Sequence, residues 1–152
     1  MLSLARKLLH RRLEEQRDDT HAAVELATAA LLVEIARADH VLHEAERDAL
    51  RTQIEQHLRL PATDVTALLD AAAQAVEDSV SLHEFTHLLN RHLPPAQRRR
   101  LVESLWRVAL ADGHVDALEE HGIRKIASLL HVSHDAFIAA KLRAGAAPGS
   151  RA

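Results

Sequence analysis

The 152-residue chain has no cysteine and no tyrosine. The first absence removes disulfides, thiolate metal ligands and thiol nucleophiles together, so any metal must be held by carboxylate or imidazole. One Trp and two Phe make no aromatic platform for stacking bases, and they leave the core to Ala, Leu, Val and Ile. With only four glycines, the chain carries neither a Gly-rich phosphate loop nor a Gly-x-Ser-x-Gly elbow. No apolar run approaches the ~20 residues that span a bilayer. The net charge of −3 offers no whole-protein basic field for nucleic acid. Arg98-Arg99-Arg100 is the one sharp basic cluster and reads as the solvated face of a helix.

What the chain has in excess is histidine, twelve in all, whose full protonation would turn the net charge positive. Its length fits a single domain that buries about two-thirds of its unfolded surface without covalent staples. A cysteine-free chain suits a reducing compartment, so the expected location is cytoplasmic.

Apolar residues recur at intervals of three and four and alternate nowhere. The fold is therefore expected to be all-α, a compact bundle of seven or eight helices, near 4–17, 20–38, 44–58, 62–77, 82–92, 95–111, 117–130 and 134–144. Pro61 and Pro94-Pro95 stand at or just before a first turn, where a missing N–H costs little. Ser81 with Glu84, and Asp116 with Glu119, each have the spacing of a capping box. Residues 1–17 read as an amphipathic N-terminal helix or arm, 18–144 as the helical domain and 145–152 as a frayed tail. The arm mixes Leu2, Leu4, Leu8, Leu9 and Leu13 with basic residues. Its plain reading packs those leucines on the body; its alternative lays them on an anionic membrane.

The chain says one thing twice. Ala36-Arg37-Ala38-Asp39-His40-Val41-Leu42-His43-Glu44-Ala45-Glu46 is echoed by Ala109-Leu110-Ala111-Asp112-Gly113-His114-Val115-Asp116-Ala117-Leu118-Glu119. Leu50 then matches Ile123, and after a one-residue slip Leu58 matches Leu130 and Val65 matches Phe137. Two units, about 26–70 and 99–142, each run long helix, acidic loop, helix, turn, helix. The helices before the loops carry small or slim seams, Ala29, Ala30, Val33 and Ala36 in one and Leu101, Leu105, Val108 and Ala109 in the other. These two helices are expected to be central and mutually packed.

Asp39 and Asp112 both face the negative end of a helix dipole, a local rule broken twice. One cause is structural: each Asp accepts from its own loop amides, Gly113 takes a left-handed conformation, and Glu46 and Glu119 are capping carboxylates. The other is a cation site in which Asp39, Glu46, Asp112, Asp116 and Glu119 present hard oxygen donors suited to Ca²⁺ or Mg²⁺. His40, His43 and His114 would bring Mn²⁺, Ni²⁺ or Zn²⁺ within range.

On Ala38-Asp39, Ala111-Asp112-Gly113-His114-Val115-Asp116, Glu46 and Glu119, the chain resembles the TerB-like family of bacterial tellurite-resistance and stress proteins over about residues 22–142. The resemblance implies two related helical halves with acidic loops on one surface. It also implies a non-catalytic module in stress-response or metal-response assemblies, with Asp39, Glu46, Asp112, Asp116 and Glu119 as the inherited site. The expected partners are proteins, a second copy of the chain among them, with peripheral membrane contact through residues 1–13 and no nucleic acid. His40 and His43 depart from the second loop, where Gly113 and Asp116 stand.

The alternative is a zinc-dependent hydrolase. His83-Glu84-Phe85-Thr86-His87 satisfies H-E-x-x-H, which sets two imidazoles on one helix face with Glu84 to activate a bound water. A Ser81–Glu84 capping box would turn that carboxylate away, and no third ligand follows at a diagnostic spacing.

Overall fold

A computed structural model describes residues 2–38 and 44–145, and within them the side chains of 4–11, 19–38 and 44–145. Seven helices account for nearly all of this: α1 (Leu2–Ala36), α2 (Glu44–Leu58), α3 (Ala62–Asp78), α4 (His83–His92), α5 (Pro95–Ala109), α6 (Ala117–Leu129) and α7 (His134–Gly145). There is no strand among the described residues. The expected tail from 146 onward lies outside them.

The duplication is visible in how the helices pair. α1, α2 and α3 form one unit and α5, α6 and α7 the other, with α4 as the connection. The two most extensive interfaces are the equivalent ones, α1 on α3 and α5 on α7, while α2 crosses to α5 and α6 crosses to α1. Each second helix thus packs on the long helix of the opposite half. Ala29, Ala30, Ala36, Leu101, Leu105, Val108 and Ala109 are wholly buried and Val33 nearly so, and α1 and α5 are in contact as their seams predict. Gly122 leaves room for the buried end of Ile35 on α1, because a Cβ there would lie 2.9 Å from Ile35 Cδ1.

Local signals fix most boundaries. Pro61 is the N-cap of α3, and Pro94 and Pro95 are the N-cap and first residue of α5. Asp116 and Glu119 close a reciprocal capping box at α6. The equivalent turns after α2 and α6 both place a non-glycine residue in the left-handed region, Arg59 at φ 56° and His131 at φ 58°.

Four expectations need correction. The helices expected over 4–17 and 20–38 are one continuous α1 of 35 residues; no Pro or Gly lies between them, and Asp18-Asp19-Thr20 are tolerated within a helix when nothing else breaks it. The leucines of its first turns do not pack on the body, since Leu4, Leu8 and Leu9 are 57–62% exposed.

The Ser81–Glu84 capping box does not form. Leu82, half-buried, is the N-cap of α4; its carbonyl accepts from the amides of Phe85 and Thr86, and Ser81 Oγ accepts from His83 N at 3.3 Å. Finally, Arg98 is not a solvated charge. Its Nη1 donates to Leu130 O at 2.7 Å and to Asn90 Oδ1 at 3.2 Å, and Asn90 Nδ2 donates to Leu129 O at 2.8 Å. Together they satisfy the C-terminal carbonyls of α6, where a cation also meets the favourable end of the dipole.

Candidate functional site

Glu46 and Glu119 occupy equivalent places, each the third residue of its helix. At that position the capping geometry turns a side chain back toward the helix start. Both are nearly inaccessible, at 1% and 3% exposure. Acids this deep are rare unless they are paired, and these two meet each other across the joint between the halves.

The second half shows how one carboxyl serves two ends. Asp116 Oδ1 accepts from Glu119 N at 2.8 Å, and Glu119 Oε1 accepts from Asp116 N at 3.2 Å. Glu119 Oε2 is buried and meets no hydrogen-bond donor while both acids are ionised. A proton supplies the missing donor. Burial first, then the hydrogen bond and charge of Glu46, push Glu119 from the ordinary 4.5 up to about 8, against the opposing pull of the Asp116 amide. At neutral pH the pair therefore holds a proton, as two carboxyls in one dry site must.

Asp112 lies at the rim and does what an Asx-turn residue does: its Oδ1 accepts from His114 N at 3.3 Å, with His114 Nδ1 3.9 Å away. Gly113 takes φ 98°, the left-handed conformation expected of it. Of the five acids singled out by the repeat, Glu46 and Glu119 are brought into contact and Asp116 is bonded to Glu119. Asp112 is bonded to its own turn. Asp39, with His40 and His43, lies outside the described residues. Among the described residues, no three His, Asp or Glu side chains converge closely enough to hold a metal ion.

His83, Glu84 and His87 are exposed and line an open groove of about 510 Å³ with Thr86, Asn90 and His131. A larger groove of about 610 Å³ gathers His21, His57 and His92 from three helices, with Glu25 and Arg59. Burial, and next the Arg100 charge, hold His57 below the usual histidine value, and its Nδ1 lies 3.4 Å from Ser104 Oγ. No sequence motif signals this gathering, because the three histidines are far apart in the chain and fall at no shared spacing. Neither groove is lined by Glu46 or Glu119.

No helix among the described residues is long and apolar enough to cross a membrane. Comparison with known protein families finds a match to the family described as tellurite resistance protein TerB, over residues 25–142. No curated protein and no solved structure matches the chain.

Proposed function

The chain belongs to the tellurite resistance protein TerB family, and from that premise we propose that it is a non-catalytic interaction module whose acidic turns respond to a divalent cation. The observation that carries this reading is the position of Glu119, an acid raised to about 8. Catalytic acids with displaced pKa values open into clefts where substrate can reach them. Glu119 instead sits against Glu46 inside the joint between the halves, away from both grooves. An acid placed there governs how the halves are held, and through them the surface a partner would meet.

The residues fit a cation in part. Glu119 Oε2 is a hard oxygen without a donor, and the neighbouring groups are carboxylates, the donor set that Ca²⁺ and Mg²⁺ prefer. Asp112 and Asp116 already accept from their own backbone amides, so each would have to share its oxygens. Asp39 would complete the set from the first loop. A bound divalent ion would supply the positive charge that the shared proton supplies in its absence.

The test is thermal unfolding in titrated Ca²⁺, Mg²⁺, Mn²⁺ or Zn²⁺. The expected result is a rise in Tm accompanied by proton release and abolished by Asp112→Ala or Glu119→Gln. If no ion raises Tm, the carboxyls are structural only and the cation arm falls. The zinc-hydrolase alternative predicts stoichiometric zinc after purification without added metal, and hydrolysis lost in Glu84→Gln; such a result would overturn the non-catalytic reading.

A further inference from the structure

The match to the family begins at residue 25, yet α1 begins at Leu2 and runs without a break into the core. The arm is thus a rigid extension of the central helix. Every described side chain from Leu4 to Arg11 is exposed, so the protein itself covers none of the three leucines there.

Their arrangement is ordered. At about 100° per residue, Leu4, Leu8 and Leu9 fall within about 140° of the helix circumference, and Arg6, Lys7 and Arg11 fall within about 140° on the other side, while the position of Arg12 falls inside the leucine sector at its C-terminal end. Residues 1–13 contain no Asp or Glu, whereas Glu14, Glu15, Asp18 and Asp19 follow at once. An apolar sector bordered by cations and closed by Arg12, ending abruptly at an acidic stretch, describes a helix that lies in the plane of an anionic interface with its leucines in the acyl boundary and its long basic side chains reaching up to the headgroups. A second copy packed in parallel would meet the apolar face with leucines but would set like charges beside like charges, and an antiparallel copy would pair cations with Glu14, Glu15, Asp18 and Asp19 only by sliding the leucines of the two copies out of register.

We propose that residues 2–13 of α1 dock the protein on anionic lipid surfaces, with Leu4, Leu8 and Leu9 inserted and Arg6, Lys7 and Arg11 against the headgroups. The acidic segment after them is repelled by the same headgroups, which limits insertion to the first turns of α1 and keeps the folded body off the lipid. Each cation near an anionic surface is worth about fivefold in partitioning, so three together give about a hundredfold preference for anionic over neutral bilayers.

The test is co-sedimentation of the full chain with vesicles of phosphatidylcholine and phosphatidylglycerol at three to one, and with phosphatidylcholine alone. The expected result is binding to the first, about a hundredfold weaker binding to the second, and loss of binding in Leu8→Glu/Leu9→Glu. Circular dichroism and Tm of that variant should match the parent, since both positions are exposed. Absence of binding to the anionic vesicles would overturn the proposal, as would binding that the double variant leaves unchanged. A concentration-dependent dimer that the double variant dissolves, with no vesicle binding, would assign the face to a second copy instead.

Discussion

Val33 and Val65 stand in the first half where Trp106 and Phe137 stand in the second. All four are buried, on the same two helices of each unit, so equivalent positions carry side chains of very different volume. In the second half the two rings lie 5.2 Å apart at 51°, within the tilted geometry that aromatic pairs favour. Lys141 Nζ lies 5.2 Å from the Trp106 centroid, and the Arg124 guanidinium 5.1 Å from that of Phe137. In the first half the matched positions are valines, within a core that also buries Leu31, Leu32, Ile35, Leu50 and Ile54. Duplicated helices can keep their pairing while the matched positions hold valines in one copy and an aromatic pair in the other.

That contrast predicts unequal costs. Trp106→Ala would empty the centre of the second half and cost about 3–5 kcal/mol. Val33→Ala removes about two methylene equivalents and costs about 2 kcal/mol or less. Urea unfolding of the two variants measures the difference; equal costs would mean that the two halves share one core without a local division of volume.

A second comparison concerns the place where the halves are alike. Glu46 and Glu119 are the same residue at the same position, and their contact makes the joint sensitive to pH. The folded state holds Glu119 protonated up to about pH 8, while the unfolded chain releases that proton near 4.5. Between those values unfolding releases a proton, so stability falls as pH rises through the window; below 4.5 the full stability is present and does not vary with this group, and above about 8 the loss is complete. Gln at 119 stays neutral and still suits the capping box. Glu119→Gln should therefore equal the parent at pH 4.5 and exceed it at pH 9 by about 1–3 kcal/mol. Glu46→Gln should move the falling window of the parent toward lower pH. Unfolding curves that stay parallel from pH 4.5 to 9 would show that the carboxyls do not share a proton.

The helices from Ala62 onward were legible to within a residue or two at their ends because their signals are local. Pro61, Pro94-Pro95 and the Asp116–Glu119 box each act within one turn of the residue that carries them. Ser81 and Glu84 had the same spacing as that box but lost the position to Leu82, whose side chain is drawn toward the core; a tertiary contact outweighed a local pattern. Arg98 looked like one of three solvent-facing charges because its acceptor, Leu130 O, is 32 residues away. Glu46 and Glu119 were singled out by the repeat, but a linear sequence does not show that two acids 73 positions apart end up facing each other in a dry joint. The gathering of His21, His57 and His92 was illegible for the same reason.

The smallest expected effect tests the equivalence of the halves at the backbone. Arg59 and His131 both lie in the left-handed region, where a Cβ crowds its own carbonyl. At His131 the turn is a Schellman motif: Val132 N donates to Ala127 O at 2.9 Å and His131 N to Ser128 O at 3.1 Å, the pattern that usually places glycine at this position. Glycine relieves the crowding but enlarges the freedom of the unfolded chain, so Arg59→Gly and His131→Gly should each stabilise by only about 0.5–1 kcal/mol. Alanine at either position keeps the crowding and should give no gain, which separates the backbone effect from loss of the side chain. Equal gains in thermal unfolding would show two turns under the same constraint. A gain at 131 alone would mean that the one-residue slip in the repeat, which falls just before these turns, has left Arg59 in a turn that no longer needs its left-handed conformation.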